Sequence, residues 1–160
     1  EKCVSYATYN HLYAMIENNF NILEVLYSLP SFKRDNLLLK VETDKGILNE
    51  SILNSIKKLL GINADTMVFD QEIAIHINTV FSELAQMGIG PEEGYMITGP
   101  SNVWSEFCKD DFPLLSNVKT YVYLKVRLLF DPPTTSPLIE AINQQIKEIG
   151  WRMYIQKGGY

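Results

Sequence analysis

Two consecutive prolines, Pro132 and Pro133, constrain how the C-terminal third of the chain can fold. Each proline lacks a backbone N–H, and the first pushes Asp131 out of helical geometry. Apolar residues before the prolines recur at spacings of three and four, which predicts a helix over residues 116–130 with one apolar face. These residues are Val118, Tyr121, Val122, Val126, Leu129 and Phe130. The sequence therefore predicts a helix that ends at a rigid corner.

A second helix is predicted to begin directly after this corner. Ser136 supplies a capping oxygen and Pro137 suits the first helical position, so we expect a helix from 137 to about 153. Its apolar stripe consists of Leu138, Ile142, Ile146 and Ile149. We expect Leu129 and Phe130 to be buried against this helix. Two helices with no ionisable centre between them indicate a scaffold rather than an active site.

Two further helices are predicted upstream. Asn49 can cap a helix over 49–61, and Asp70 can cap a helix over 70–87. Gly61 and Gly88 provide the left-handed residues that commonly end helices. The apolar stripes are Ile52, Leu53, Ile56, Leu59 and Leu60 in the first, and Ile73, Ile77, Val80, Phe81, Leu84 and Met87 in the second. The expected fold class is therefore mainly all-α, a small helical bundle.

Residues 89–113 form the least regular part of the sequence. The turn-rich segment 99–102 lies between two short apolar segments, 95–97 and 103–107, which is typical of a small β-hairpin. A short helical turn over 104–107 explains the same residues equally well. The segment is long for a connection and carries the kind of aromatic side chains that anchor interfaces. These candidate interface residues are Tyr95, Trp104, Phe107 and Phe112, and the alternative is that they fold back onto the domain's own core.

The first 48 residues differ in character from the rest. An amphipathic stripe from Leu12 to Leu26 predicts a helix that ends at Pro30, and a polar connector with a short strand at 37–41 follows. Residues 1–48 are either an N-terminal arm that docks on a neighbour, or a remnant of an upstream reading frame or gene-model artefact that is not part of the native protein, and the sequence favours neither. The main domain then covers 49–155, and residues 156–160 are expected to fray.

The composition excludes several functions. The chain has 160 residues, 46% of them hydrophobic, which suffices for a packed core. A net charge of −5 argues against a nucleic-acid backbone as the main partner, because phosphate binding needs a basic face. No apolar run is long enough to span a bilayer, so no membrane association is expected. Cys3 and Cys108 do not suggest a disulfide framework, and a reducing cytoplasm is the expected compartment.

The sequence offers little for catalysis, and we expect no cofactor and no metal. The Gly88-Ile89-Gly90 segment follows a helix and lacks a P-loop lysine, so a plain turn is favoured over a phosphate site. Glu72 and His76 are one helical turn apart, but two ligands fall short of a zinc set. A nucleophile at Cys108 would need His11 or His76 brought close by the fold.

The remaining polar and aromatic residues have ordinary explanations. Glu92-Glu93 and Asp110-Asp111 are predicted to be solvated loop charges, with an electrostatic docking edge as the alternative. Trp104 and Trp151 are predicted to be core anchors rather than stacking platforms for bases. Nothing in these residues predicts an enzyme.

Residues 49–155 resemble the small helical head–tail connector (adaptor) proteins of long-tailed phages and their prophage relatives. The resembling elements, in order, are NESILNSIKKLLGI, FDQEIAIHINTVFSELAQMGIGPEEGY, VWSEF, VKTYVYLKVRLLFDPP and SPLIEAINQQIKEIGWRM. The most specific are the LLFDPP corner, from Leu128 to Pro133, and the ending IKEIGWR, from Ile146 to Arg152. The order of the elements carries the resemblance more than any single helix.

This resemblance implies a structural virion protein that is not an enzyme. Copies of such connectors form a ring beneath the portal protein and join the capsid to neck or tail-completion proteins. The implied location is the virion neck, after assembly in the bacterial cytoplasm, and DNA would be present only as the passing genome. The alternative is a small prophage-encoded helical regulator that binds a host protein, since it would share the acidic surface and the absence of chemistry.

Overall fold

A computed structural model describes residues 46–108 and 112–158, except for the side chains of residues 112 and 113. The helices are α1 (Ile52–Leu59), α2 (Asp70–Gln86), α3 (Trp104–Cys108), α4 (Phe112–Phe130) and α5 (Ser136–Gln156), with a 3₁₀ turn at Met67–Phe69 before α2. Residues 46–48 are also helical. The helix expected from Leu12 to Leu26 and the strand at 37–41 lie outside the described residues. The mainly all-α class is confirmed.

The expected hairpin does not form within the described ranges. Its second half is helix α3, as the alternative predicted, and Val103 makes an isolated antiparallel bridge with Ser51 instead of pairing with residues 95–97. The backbone of Ile97 is not available for a ladder, because the Asn78 side chain binds both of its polar groups. The Ile97 N–H donates to Asn78 Oδ1 at 2.8 Å, and Asn78 Nδ2 donates to the Ile97 carbonyl at 3.0 Å.

The helix ends differ from the sequence prediction by a few residues. Helix α4 begins at Phe112 rather than at residue 116. Pro113 is tolerated in its first turn, because the backbone N–H that proline lacks would have no partner within the helix there. The Asn54 N–H donates to Ser51 Oγ at 3.3 Å, so Ser51 caps α1 in place of Asn49. Asp70 is the first residue of α2 rather than its cap.

Both ends of α5 also differ from the prediction, whereas the glycines that end α1 and α2 agree with it. Thr135, rather than Ser136, occupies the cap position of α5, and this helix runs to Gln156 instead of about residue 153. Gly61 and Gly88 adopt φ values of 80° and 72° after α1 and α2, as predicted for left-handed helix ends.

Helices α2, α4 and α5 form an antiparallel layer. Phe69, just before α2, contacts Phe130 at the end of α4 with ring centroids 5.5 Å apart, so these two helices run in opposite directions. Helix α5 returns along α4 until Gly150 faces Tyr121, where an added Cβ would lie 3.5 Å from Tyr121 Cε2. The core side chains lie between these helices and α1, and include Ile52, Leu53, Ile56, Ile73, Ile77, Val80, Phe81, Leu84, Val118, Val122, Val126, Ile142 and Ile146.

The helices of the described residues are amphipathic rather than uniformly apolar. None of them is long and apolar enough to cross a membrane.

Candidate functional site

The aromatic loop predicted as a contact surface folds largely onto the core. The side chain of Trp104 has no solvent exposure, and Phe107 is buried beside it. Phe81 of α2 stacks on Phe107 with centroids 4.4 Å apart, and meets the rings of Trp104 and Tyr95 edge to face. The indole N–H of Trp104 donates to Ser55 Oγ at 2.9 Å, which satisfies its only polar group.

This packing supports the alternative stated for the loop, in which its aromatic residues cap the domain's own core. Burial removes Trp104 and Phe107 from the surface, while the side chain of Phe112 lies outside the described part. Tyr95 is half-buried and Met96 is exposed. A contact role for this loop stays a prediction, and its exposed residues would have to provide it.

A short hydrogen-bond network joins Tyr95 to α3. The Tyr95 hydroxyl donates to Glu106 Oε2, and Asn102 Nδ2 donates to the same carboxylate oxygen at 3.1 Å. Burial, followed by the bond to Glu106, raises the pKa of Tyr95, while the bond from Tyr95 lowers the pKa of Glu106. The proton therefore stays on the phenol and the carboxylate stays charged. The arrangement holds the loop in place and leaves no group poised to accept a proton near neutral pH.

The glycine-rich turn after α2 has a packing role. Gly90 has a φ of 102°, and an added Cβ would lie 2.7 Å from two ring carbons of Phe107. Only glycine fits this conformation and this approach. The turn therefore closes over an aromatic ring, in agreement with the plain-turn interpretation of the Gly88-Ile89-Gly90 segment.

The two weak chemical candidates, the Glu72–His76 pair and Cys108, lie on different helices. His76 Nε2 lies 4.0 Å from Glu72 Oε1 on the surface of α2. Among the residues that the structure describes, no group of three potential metal ligands comes together. Cys108 is buried at the end of α3. His11 lies outside the described residues.

The Pro-Pro corner is more open than the sequence predicted. Leu129 is 52% exposed, so the expectation that it is buried against the second helix is wrong. Phe130 is half-buried, and its ring packs edge to face on Phe69. Leu138 in the first turn of α5 is also exposed, and the helix first buries a side chain fully at Ile142. The start of α5 thus leaves the core uncovered at the corner, where Asp131 and Pro132 are exposed and Pro133 is partly exposed.

An exposed apolar tip next to this corner was missed by the sequence reasoning. Met67 and Val68, in the 3₁₀ turn, are 76% and 85% exposed. Lys57 fixes the loop that carries them, because its buried Nζ donates to the Ala64 carbonyl at 2.8 Å and to Asp70 Oδ1 at 2.6 Å. The signal available in the sequence was an apolar Met67-Val68-Phe69 run that fits neither neighbouring helical stripe.

A second exposed apolar area lies near the end of α5. Trp151 is 63% exposed, so its prediction as a core anchor is wrong. Its ring lies 6.2 Å from that of Tyr154, which is also exposed. The buried positions of α5 are Ile142, Ile146, Gly150 and Met153, which direct Trp151 away from the core. Large exposed aromatic side chains of this kind mark interaction surfaces.

The described domain is mainly helical, with a packed apolar core and exposed apolar areas of the kind that mark interaction surfaces, which is typical of a structural, interaction-forming class of protein. The family comparison agrees with that class. Residues 52–160 match the family described as phage connector protein, and the chain therefore belongs to that family. Members are in general structural and not enzymes, and they connect parts of the phage particle. A search of curated proteins and a search of solved structures gave no match.

Proposed function

We propose that this protein is a head–tail connector that forms a ring beneath the portal protein and joins the capsid to the neck or tail-completion proteins. The single observation that carries the proposal is the family match over residues 52–160. That stretch contains every helix from α1 to α5, so the match covers nearly all of the packed domain. The protein would be located in the virion neck, after assembly in the cytoplasm of the bacterial host.

The physical properties of the chain support this role. A ring requires two different surfaces on each subunit that match around a closed axis, and the domain exposes large apolar side chains in more than one area. A net charge of −5 would let the genome pass through the ring without adhering, because like charges repel. Specific binding of nucleic acid is not part of the proposal.

The proposed function needs no catalytic group. The buried thiol of Cys108 and the surface imidazole of His76 would both be dispensable. We expect Cys108→Ser and His76→Ala to leave assembly of particles intact. Loss of infectivity from either change, in protein that still folds, would indicate chemistry that the connector role does not explain.

A phage that lacks the gene provides the direct test. We expect it to produce DNA-filled heads and free tails that do not join, as seen by electron microscopy, with joining restored by the wild-type gene on a plasmid. A phage that forms complete particles without the protein would overturn the proposal.

The second candidate is a small prophage-encoded regulator that binds a host protein. It shares the helical fold and the acidic charge, but the family match favours the connector. Mass spectrometry of purified particles separates the two, because a regulator would be absent from the virion. Gene position is a further criterion, since a connector gene should lie between the genes for the capsid and the tail.

A further inference from the structure

Two of the exposed apolar areas of the domain differ in shape. The first, here named the apolar tip, consists of Met67 and Val68 at the end of a short loop. The second, named the aromatic face, consists of Trp151 and Tyr154, one helical turn apart on α5. A protruding methionine and a pair of aromatic rings are complementary, because thioether sulfur packs favourably on aromatic rings.

The apolar tip is held rigidly although its side chains have few contacts. Lys57 ties the loop at Ala64 and at Asp70, on either side of the tip. Phe69 anchors it further through its edge-to-face contact with Phe130. Because the loop is already ordered, docking would lose little conformational entropy in this loop.

The apolar tip and the aromatic face lie at opposite ends of the helical layer. The tip is at the start of α2, next to the Pro-Pro corner where α4 ends. Trp151 lies 15 residues beyond Ser136, the start of α5, which corresponds to about 22 Å along a helix. Gly150, beside it, faces Met87 just after the end of α2. A contact between tip and face can therefore form only between different copies of the domain.

The charges around the two areas are of opposite sign. Asp65, Glu72 and Asp131 are exposed near the tip, with Lys58 as the exposed cation on neighbouring α1. Within one helical turn of the aromatic face, α5 carries exposed cations and one exposed anion. These are Lys147 and Arg152, with Glu148 as the anion. Opposite signs favour a contact between the two areas over contact of either area with itself.

We propose that the apolar tip of one copy docks on the aromatic face of the next copy, a head-to-tail contact that rests on the ring proposed above. Such a heterologous interface uses two different surfaces and repeats from subunit to subunit until the ring closes. Trp151 would be the main anchor, since tryptophan is enriched among the residues that dominate binding energy.

Mixing two variants of the full-length chain tests this contact. The tip variant carries Met67→Ser and Val68→Ser, and the face variant carries Trp151→Ala and Tyr154→Ala. All four side chains are exposed, so both variants should fold, as checked by circular dichroism. Ile75→Ser is the matched control, because it removes an exposed apolar side chain from α2, away from the tip, the face and the loop over residues 89–113. Sedimentation velocity reports the size of the assembly with and without portal protein.

The expected pattern is specific to a head-to-tail contact. Wild-type protein and Ile75→Ser form the ring, whereas each variant alone is monomeric. An equimolar mixture of the two variants forms dimers and nothing larger, because each pair retains one intact tip and one intact face.

Three results would overturn the inference in distinguishable ways. If the tip variant and the face variant assemble like the wild type, other surfaces form the ring. This conclusion holds even if the tip is then found to bind the portal protein. A monomeric mixture would exclude pairing of tip with face. Wild-type protein that stays monomeric even with portal present would overturn the proposed ring itself.

Discussion

The Lys57 ammonium group lies 2.6 Å from the Asp70 carboxylate, and the lysine side chain has no solvent exposure. This ion pair joins α1 to the first residue of α2, and the same ammonium group binds the Ala64 carbonyl at 2.8 Å. A buried cation without its partners would be costly, so all three groups depend on one another. The pair therefore determines the conformation of the loop between the two helices.

Lys57→Met should destabilise the protein by about 1 to 3 kcal/mol, because it removes both hydrogen bonds and leaves Asp70 partly buried without its cation. Chemical denaturation measures the change in the free energy of unfolding. Lys58→Met is the matched control, since the neighbouring lysine is exposed and should matter by less than about 0.5 kcal/mol. Equal effects of the two substitutions would contradict the role assigned to Lys57.

Gly90→Ala should be more destabilising than Gly88→Ala. Both glycines have positive φ, which costs an alanine roughly 1 to 2 kcal/mol. Only at Gly90 does the added Cβ also clash with the ring of Phe107, whereas at Gly88 nothing lies within 4 Å. Overpacking of this kind adds about 1 to 3 kcal/mol. Thermal unfolding of both variants measures the difference, and identical midpoints would show that the ring moves aside freely.

At the Pro-Pro corner, Phe130→Ala should cost about 0.8 to 1.5 kcal/mol, half the value for burying a phenylalanine fully. The side chain is half-buried and its main ring contact is Phe69. Leu129→Ala, next to it, should cost less than about 0.5 kcal/mol because Leu129 is exposed. A large loss at Leu129 in a urea titration would mean that α5 covers the corner after all.

The Tyr95–Glu106 bond should contribute to stability in a pH-dependent way. Because the bond from Tyr95, and next that from Asn102, lowers the pKa of Glu106 below 4.5, folding favours the ionised carboxylate. The resulting stabilisation is present above pH 4.5 and is lost as the pH falls through the lowered pKa. Glu106→Gln should therefore destabilise the protein at pH 7 and have less effect in acid.

Denaturation of the wild type and of Glu106→Gln at both pH values checks this expectation. Glu93→Gln serves as the control, since it removes an exposed carboxylate from the preceding loop. A wild-type advantage that is the same at pH 7 and in acid would contradict the assigned bond.

The helices were predictable from the sequence because apolar spacing and glycine or proline ends are local signals. Which part of a stripe is covered by a neighbour is not local. The stripe before Pro132 includes Leu129, but the first turn of α5 leaves this residue uncovered. Trp151 was misplaced for a related reason, since Gly150 occupies the inward position of α5 and has no side chain to reveal the pattern.

Which side chains are buried and which remain at the surface depends on contacts between residues that are far apart in the sequence. The sequence alone does not distinguish Lys57 from Lys58, and only the approach of Asp70, 13 residues away, makes the first of them structural. Similarly, the burial of Trp104 leaves no polar group unsatisfied, because Ser55, 49 residues earlier, accepts its indole N–H. The aromatic residues of this loop indicated that it is unusual, but they did not indicate whether their side chains face the core or the surface.

The loop between Ile97 and Asn102 is attached independently at each end. The Asn78 side chain holds Ile97, and the Ile52 N–H donates to the Asn102 carbonyl at 2.9 Å. The chain between them closes on itself through Asn102 Oδ1, which accepts from the Thr98 N–H at 2.9 Å. Foreign sequence inserted after the exposed Pro100 would therefore leave both attachments in place. An epitope or metal-cluster label at that position offers a means to locate the subunit within an intact particle by electron microscopy.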